Sequence, residues 1–388
     1  MAEEQIMDVT TKKRVFFYVQ HLLGIGHLAR ASRIGKALVA KGFDVTMVTG
    51  GRPVPGFPGP EVRNITLPAI AAGDAGFKGL VDATGNLIDD DFKAIRRDML
   101  IAAFRDIRPD IVMTEAFPFG RRQVRFELLP FLDEVIAARP KPLVVASLRD
   151  LLQERAKPSQ DEETVGYVKQ YFDRVLVHGD PNFARIEDSF PLHEAIADKV
   201  IYTGLVAAPP PPPPTENFDI VVSAGGGAVG VDVIRAAVES AKRLPADLSW
   251  CMITGPNLPQ ADFDAIAADA PAHVKLFRFR QDFASLLAGA RLSVSQAGYN
   301  TVGDILRAGC RCLLMPFTAG GETEQAARAE RLEKLGRAFV LSQAALSAGT
   351  MIVAIERALA SGTPAEHKLD LDGANRTAEI LHNLSAAR

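Results

Sequence analysis

Small and polar residues follow an apolar strand in the stretch VSQAGYNTVGDILRAG, where the sequence predicts a strand-to-helix junction. They are Ser295, Gly298, Asn300, Thr301 and Asp304. Hydroxyl, amide and carboxylate groups at such a junction are suited to binding the hydroxyls of a polyol. Thr301, followed three residues later by Asp304, also fits a capping box, in which both side chains bond the helix start and no ligand. The sequence leaves both interpretations open.

Two more strand-to-helix junctions of the same half carry suitable groups. They are Glu322, Glu324 and Gln325 after the strand CRCLLMPF, and Gly225, Gly226 and Gly227 after the strand FDIVVS. Glycine amides at the start of a helix favour an anion such as phosphate. The glycine loop lacks the Gly-Lys-Ser/Thr ending of a P-loop, which argues against an ATPase. Together the three junctions predict a site for a phosphorylated polyol.

A histidine stands where the first predicted helix begins, in the loop HLLGIGHLA. Gly24, Gly26 and Ala29 satisfy a loose form of the dinucleotide-binding fingerprint. The second predicted strand ends in Thr49, without the acid that would hold a ribose, which argues against a nicotinamide cofactor. At the end of the first strand, the imidazole of His27 can act as a general base on a hydroxyl. A solvent-facing histidine is the alternative.

Glu115 ends another predicted strand, in PDIVMTEAFPFGRR. It is a candidate for substrate binding or acid–base chemistry, or it caps the following helix. Aromatic and basic residues follow it: Phe117, Phe119, Arg121, Arg122 and Arg125. If exposed together, they would bind a membrane surface or an anionic lipid-linked molecule. Buried phenylalanines beside solvated arginines are the favoured interpretation.

Six consecutive prolines at 209–214 divide the chain into halves of similar pattern. In each half, apolar strands alternate with glycine-bearing loops and amphipathic helices, which is typical of parallel sheets covered on both faces. We predict an α/β fold of two doubly wound, Rossmann-like domains facing across a cleft, with ligands at the carboxyl ends of the strands. The predicted parts are a first domain (1–207), a proline-rich linker (208–216) and a second domain with a C-terminal helix (217–388).

The overall composition excludes several classes of protein. With 44 basic and 47 acidic residues, the chain has a net charge of −3, which does not attract the negatively charged backbone of a nucleic acid. No nucleic-acid partner is expected. No apolar run reaches the roughly 20 residues that span a bilayer, and the N-terminal segment is acidic where an export signal is basic. Three cysteines without metal-ligand spacing suit a reducing compartment. The acidic clusters at 89–91 and 370–372 fit solvated surface, so no metal site is predicted. The expected location is the cytoplasm, with peripheral contact to the inner face of the membrane as a further option.

The junction sequences resemble those of family 28 glycosyltransferases, which have the two-domain GT-B fold. This family includes the enzyme that adds N-acetylglucosamine to lipid-linked muramyl peptide. In the second half, the resemblance is carried by SVSQAGYNTVGDILRAGCRCLLMPF, the Glu-Gln pair at 324–325 and ARAERLEKLG. It extends to HLLGIGHLARASRIGKAL, VIYTGLV and VVSAGGGAV.

The resemblance implies that residues 1–207 form the acceptor-side domain and residues 217–388 the donor-binding domain. Glu115 and the aromatic and basic segment after it are then candidates for contact with the acceptor. The resemblance also implies a role for each junction. Asp304 matches an acid that helps to bind the donor, where the family more often has glutamate. Glu324 and Gln325 match a pair that contacts ribose and sugar hydroxyls. The loop before this pair is about one residue longer than in the relatives, so Glu322 is the alternative to Glu324. Gly225 to Gly227 match the loop that faces the diphosphate, and Phe279 with Arg280 matches the segment that contacts the nucleobase. His27 matches a histidine that is the general base or lies in the acceptor site.

The expected activity is therefore inverting, metal-independent transfer of a sugar from a UDP-linked donor to an acceptor hydroxyl. The nucleotide sugar is a substrate, and no cofactor is predicted. The acceptor is open, with a lipid-linked or membrane-associated molecule as one option. The alternatives are a nucleotide-sugar hydrolase or epimerase of the same fold and a non-catalytic regulator that binds nucleotide sugars.

Overall fold

The computed structural model describes residues 12–22, 24–73, 79–153, 158–225, 230–255, 258–318, 321–362, 364 and 366–387. The strands of the first half are β1 (Arg14–Val19), β2 (Asp44–Thr49), β3 (Arg63–Thr66), β4 (Ala71–Ala72), β5 (Leu80–Val81), β6 (Ile111–Glu115), β7 (Leu143–Arg149), β8 (Arg174–His178) and β9 (Val200–Tyr202). Those of the second half are β10 (Ile220–Ser223), β11 (Trp250–Ile253), β12 (Val274–Phe277), β13 (Leu292–Ser295), β14 (Cys312–Leu314) and β15 (Phe339–Val340).

Helices connect these strands in both halves. In chain order they are α1 (Gly26–Ala40), α2 (Asp90–Ile107), α3 (Arg125–Ala137), α4 (Ser159–Tyr171), α5 (Val231–Ala241), α6 (Gln260–Asp269), α7 (Phe283–Gly289), α8 (Tyr299–Ala308), α9 (Glu324–Lys334), α10 (Ala348–Ala360) and α11 (Gly373–Ala386). Short 3-10 helices span Arg122–Val124, Ile186–Asp188, His193–Lys199 and Gln343–Ala345.

Each half forms a parallel sheet. The first sheet has the order β3-β2-β1-β6-β7-β8-β9, with β4 and β5 paired separately as an antiparallel hairpin. The second has the order β12-β11-β10-β13-β14-β15. Alternate residues of β1 face opposite layers: Phe17 joins Ile34 of α1 in one apolar cluster, whereas Phe16 stacks on Phe131 of α3 in another. The predicted doubly wound arrangement is confirmed.

The strand order reverses direction at β1 in the first sheet and at β10 in the second. β1 lies between β2 and β6, and β10 lies between β11 and β13. In open parallel sheets the crevice at such a reversal, outside the carboxyl ends of the strands, is where ligands bind. The loops that follow β1, β6, β10 and β13 are therefore placed to form the site.

The C-terminal helix returns to the first domain, although the sequence grouped it with the second. α11 packs on α1, and the segment before it pairs with the end of the first domain: Leu205 donates to the carbonyl of Asp370 at 2.8 Å, and Gly373 donates to that of Leu205 at 3.0 Å. A side chain at position 373 would collide with the backbone of Gly204, so this crossing requires glycine. The first domain is thus completed by residues from the end of the chain.

Candidate functional site

His27 and Glu115 meet at the reversal point of the first sheet. Glu115 is the last residue of β6 and is fully buried, and His27 lies in the first turn of α1 with 16% of its side chain exposed. Nδ1 of His27 lies 2.9 Å from Oε1 of Glu115. The same oxygen accepts a bond from Arg30, and Oε2 accepts one from the hydroxyl of Ser147 at 2.7 Å. Both carboxylate oxygens are therefore occupied by donors.

The surroundings fix the charge of both members of this pair. Burial raises the pKa of Glu115, but Arg30, His27 and Ser147 outweigh it and bring the pKa to about 2. Burial, followed by the positive charge of Arg121, holds the pKa of His27 well below its usual range. At neutral pH an ionised Glu115 can only accept hydrogen bonds, so Nδ1 of His27 must donate. Nε2 of a neutral His27 then carries a lone pair, as a general base requires.

Gly26 lets the second domain approach His27 closely. The carbonyl of Gly26 accepts a bond from Nδ2 of Asn300 at 3.0 Å, and a β-carbon at position 26 would lie 3.4 Å from that nitrogen. Gly24 has open space around it. The structure thus brings predicted residues of both halves together, with the start of α8 beside the start of α1.

Tyr299 anchors the start of α8 on the first domain. Its hydroxyl donates to the carbonyl of His178 and accepts from the amide of Val206, each at 2.8 Å. The guanidinium groups of Arg30 and Arg328 lie 5.0 and 5.9 Å from the centre of its ring. These contacts hold the two domains closely around the site.

Of the two interpretations of Thr301 and Asp304, the capping box is wrong. Gly298 is the residue that precedes the helix, in extended conformation and without a side-chain cap, and α8 already begins at Tyr299. Asp304 therefore falls in the second turn, on the buried side of the helix, and not in the first turn as the sequence suggested. Packing of the start of α8 against the first domain, and not the local capping pattern, determines where the helix begins.

Asp304 instead forms an ion pair across the domains. Its two oxygens accept from Nη2 of Arg33 at 3.0 and 3.2 Å, and the amide of Ala208 lies 3.4 Å away. Burial raises the pKa of Asp304, and Arg33 opposes that effect. A nucleotide ribose that bound Asp304 would have to displace Arg33.

The junction before α9 contributes a pair of carboxyl groups. Glu324 is buried and accepts from Arg149 of the first domain, whereas Oε1 of Gln325 accepts from the amide of Phe317 at 3.1 Å. Burial and a hydrogen bond to Glu324 raise the pKa of Glu322 to about 7. Oε1 of Glu322 and Oε2 of Glu324 have no hydrogen-bond partner among the described residues. This geometry is consistent with the prediction that the junction offers polar groups. Glu322 and Glu324 both stay candidates for contact with a donor.

The remaining predicted donor residues are more dispersed. Gly225 has a φ of +78°, which suits glycine, whereas Gly226 and Gly227 lie outside the described residues. Ser295 is fully buried and its hydroxyl has no partner in the described chain; Thr301 is half-buried. Beyond the end of the edge strand β12, Phe279 is 53% exposed. Arg280 is held by Asp282 at 2.7 Å and Glu216 at 3.3 Å.

The aromatic and basic segment after Glu115 is not a membrane surface. Phe117 and Phe119 are 1% and 5% exposed, as the favoured interpretation predicted. The arginines are engaged, not freely solvated: Arg122 and Arg125 bond Glu163, and Nε of Arg121 donates to the carbonyl of Gln20 at 2.7 Å. Burial, with Arg149 nearby, lowers the pKa of Arg121 to about 10. This guanidinium adds positive charge beside His27.

Several residues of the site escaped the sequence analysis. Arg30 stands three positions after His27 on α1, which places both on one helix face. This spacing could have identified Arg30 as a neighbour of His27. Arg149 ends β7 and Asp150 follows it; Asp150 binds Arg328 of α9 at 2.7 and 3.0 Å. Nothing in their local sequence indicated a partner in the other domain.

Two surface depressions of about 860 and 550 Å³ lie elsewhere, at the amino-terminal edge of the first sheet. Basic residues line both, but several already have partners: Arg139 bonds carbonyls at the end of α3 and Arg105 bonds Glu134 at 2.8 Å. The described residues contain no group of three or more acidic, histidine or cysteine side chains suited to a metal ion. No helix in the described ranges is long and apolar enough to cross a membrane.

Comparison with known proteins agrees with the resemblance seen in the sequence. Residues 220–383 match the profile described as the glycosyltransferase family 28 C-terminal domain. The chain is 25% identical over 389 residues to UDP-N-acetylglucosamine--N-acetylmuramyl-(pentapeptide) pyrophosphoryl-undecaprenol N-acetylglucosamine transferase of Phenylobacterium zucineum (strain HLK1), covering 94% of this chain and 96% of that one. Enzymes of the same name from four other bacteria match over 36% to 47% of their length, so the chain spans less than half of those relatives.

Similar solved structures establish the architecture. MurG of Acinetobacter baumannii superposes with a TM-score of 0.61 at 15% identity, covering 96% of this chain and 99% of that one. UDP-GlcNAc 2-epimerase from Methanocaldococcus jannaschii superposes with a TM-score of 0.55 at 12% identity, covering 95% and 99%. At these sequence identities the structural similarity shows only that the fold is shared. It confirms the predicted pair of Rossmann-like domains and leaves the reaction to be argued from the site.

Proposed function

We propose that this chain, which has the GT-B fold and a family 28 C-terminal domain, is a glycosyltransferase that moves a sugar from a nucleoside diphosphate sugar to an acceptor hydroxyl. The observation that carries the proposal is the His27–Glu115 pair, with 2.9 Å between Nδ1 and Oε1, beside the start of α8. A neutral imidazole held by a buried carboxylate is equipped to remove the proton of an attacking hydroxyl. In this role His27 is the base and Glu115 orients it.

The same pair supports transfer with inversion. Retention through a covalent intermediate needs a carboxylate free to attack the sugar. Glu115 is fully buried and its oxygens are occupied by His27, Arg30 and Ser147. Direct attack by the acceptor hydroxyl, assisted by His27, is the step that these contacts favour, and one direct displacement inverts the anomeric centre.

Positive groups are available for the leaving diphosphate. The amides at the start of α8 have no side-chain cap and lie at the reversal point of the second sheet, where unpaired N–H groups stabilise a phosphate. Arg149 reaches the junction before α9 from the first domain. These groups supply the electrostatic stabilisation that a departing nucleoside diphosphate needs, so we propose a metal-independent reaction. Uracil as the base is proposed from the names of the relatives.

A lipid-linked acceptor at a membrane surface fits the outside of the first domain. Leu87, Ile95 and Met99 expose 76%, 54% and 40% of their surface. Leu87 pairs with Val81 of the hairpin formed by β4 and β5, and Ala72 of this hairpin donates to the carbonyl of Leu22, which lies between β1 and Gly24. Exposed apolar side chains of the first domain, such as Leu87 and those of α2, are suited to contact with lipid. We therefore propose peripheral contact with a membrane carrying the acceptor.

The proposal is tested by binding and by turnover. Calorimetric titration with UDP, dTDP, GDP and their sugar conjugates identifies the donor, because a ligand that binds the folded chain is seen without knowledge of the acceptor. The identified donor is then incubated with and without lipid-linked and soluble acceptors. Glycosylated acceptor supports the proposal. Release of free or epimerised sugar from the donor alone identifies a hydrolase or epimerase, and binding without turnover identifies a regulator.

A further inference from the structure

A chain of buried hydrogen bonds continues from Glu115 into the interior of the first domain. The hydroxyl of Ser147 on β7 lies 2.7 Å from Oε2 of Glu115 and 2.9 Å from Nε2 of His178 at the end of β8. Nδ1 of His178 lies 2.9 Å from the hydroxyl of Thr203, just beyond β9. These side chains are at most 1% exposed. Three neighbouring strands and the residue after a fourth thus contribute one polar group each to a continuous chain.

The charge of Glu115 determines the direction of every hydrogen bond in this chain. An ionised carboxylate only accepts, so Ser147 must donate its single hydroxyl proton to Glu115. Ser147 can then only accept from His178, which places the proton of His178 on Nε2. Nδ1 of His178 is left to accept from Thr203. Burial, followed by Arg30, lowers the pKa of His178 to about 3, so His178 stays neutral as this arrangement requires.

We propose that Ser147 and His178 are positioning residues, which hold Glu115 in one orientation and so keep the proton of His27 on Nδ1 and the lone pair on Nε2. This inference rests on the proposed function, in which His27 is the base. Glu115 of β6 lies opposite Ser147 of β7, and Arg149 of β7 lies opposite His178 of β8. Groups mounted on adjacent strands hold a base more rigidly than groups on loops. Outer partners of this kind fix the tautomer and orientation of a functional histidine.

Removing the bond from Ser147 has a predictable electrostatic effect. The charged groups that face His27 are Arg30 from its own helix, Glu115 from β6 and Arg121 from the loop after β6. Without Ser147, Oε2 of Glu115 loses a partner and the carboxylate can turn away from His27, which weakens the bond that stabilises the imidazolium. Ser147→Ala should therefore lower the pKa of His27 further and move the acidic limb of the pH–rate profile to lower pH.

The test uses the full chain with ¹⁵N-labelled histidine, and His27→Ala assigns the His27 signals. Long-range ¹H–¹⁵N spectra report which ring nitrogen carries the proton. We expect His27 of the wild type to be neutral and protonated on Nδ1 at pH 7. Ser147→Ala should mix the tautomers. His178→Gln keeps an N–H donor near the place of Nε2 and should resemble the wild type, whereas His178→Leu lacks the donor and should shift towards Ser147→Ala.

Ser293→Ala is the matched control. Ser293 is also a fully buried serine of a central strand, but its hydroxyl has no partner among the described residues. Its spectrum should match the wild type. Wild-type His27 signals in both Ser147→Ala and His178→Leu would overturn the inference. If Ser147→Ala does not fold, the comparison of His178→Gln with His178→Leu decides the question.

Kinetics separate positioning from general stability. With UDP-N-acetylglucosamine as the probe donor and release of UDP as the signal, Ser147→Ala should lower kcat about tenfold and leave KM within about twofold. His178→Gln should retain more turnover than His178→Leu. A parallel rise in KM with unchanged kcat would contradict a positioning role. The spectra need no substrate, so a wild type without turnover of any nucleotide sugar contradicts the proposed function alone.

Discussion

Arg33 of α1 and Asp304 of α8 form an ion pair across the two domains, with Nη2 of Arg33 at 3.0 and 3.2 Å from the carboxylate oxygens. Their side chains are only 22% and 9% exposed. Arg328 and Asp150 make a second, fully buried pair, and Glu324 bonds Arg149. The carboxylates that the sequence assigned to the donor are therefore engaged by arginines of the first domain, which couples the donor-binding residues to the contact between domains.

The Arg33–Asp304 pair is expected to contribute to stability. Asp304→Ala leaves Arg33 largely buried without its partner, and we expect the free energy of unfolding to fall by about 2 kcal/mol. Denaturant unfolding measures it. Asp262→Ala, which breaks the exposed Arg235–Asp262 pair, is the control and should cost less than about 1 kcal/mol. Equal losses for the two variants would show that burial of the pair adds nothing.

Donor affinity is expected to depend on the junction before α9. Gln325→Ala removes a polar group there, and we expect the dissociation constant for the donor to rise by the equivalent of about 1–3 kcal/mol. Asp304→Ala should have an effect of the same size if the nucleotide displaces Arg33. Isothermal titration with the donor identified in the binding screen measures both. Unchanged affinity in both variants would contradict the assignment of these residues to the donor.

The Glu322–Glu324 pair predicts a pH dependence of that affinity. The pKa of Glu322 is raised to about 7 by burial and its bond to Glu324, so it loses its proton as the pH rises through 7. The added negative charge repels a nucleoside diphosphate, and UDP binding should weaken by roughly three- to tenfold between pH 6 and 8. Glu322→Gln should abolish this trend, and Glu330→Gln, an exposed change on α9, should preserve it. Affinity that is independent of pH in the wild type would refute the prediction.

His178 predicts a loss of stability in acid. Its pKa falls from the usual 6.5 to about 3 in the folded chain because it is buried. Between these values the unfolded chain binds one more proton, so stability decreases as the pH falls, by up to about 1.4 kcal/mol per pH unit. His178→Gln lacks this proton and should show a correspondingly shallower slope between pH 6 and 4 in urea unfolding. Above pH 7.5 the two slopes should coincide; parallel slopes at acid pH would contradict a neutral, buried His178.

The exposed apolar side chains of the first domain predict binding to membranes. Replacing Leu87, Ile95 and Met99 together by serine should reduce sedimentation with vesicles of phosphatidylglycerol and phosphatidylethanolamine by about tenfold, since each apolar contact adds to insertion. Val353→Ser on α10 is the control, because Val353 is 65% exposed on the other domain. Undiminished sedimentation of the triple variant would exclude this surface.

The fold could be predicted because apolar strands and amphipathic helices alternate with clear periodicity on both sides of the prolines. His27 and Glu115 could be chosen singly, since His27 lies in the first turn after a strand and loop and Glu115 ends a strand. Their contact depends on β6 lying beside β1, which the sequence does not state. Asp304 was misplaced within its helix because tertiary contacts of Tyr299 begin the helix earlier than the local pattern indicates. Ser147 lies inside an apolar strand and gave no signal. Long-range pairing is what the sequence pattern leaves out.

The central claim is that His27, held by Glu115, is the base of a sugar transfer. The most direct measurement is steady-state turnover of the identified donor and acceptor by His27→Ala, with donor affinity measured on the same sample. We predict that kcat falls by about 100-fold or more while the donor dissociation constant stays within about twofold of the wild type. Undiminished kcat in His27→Ala would contradict the claim.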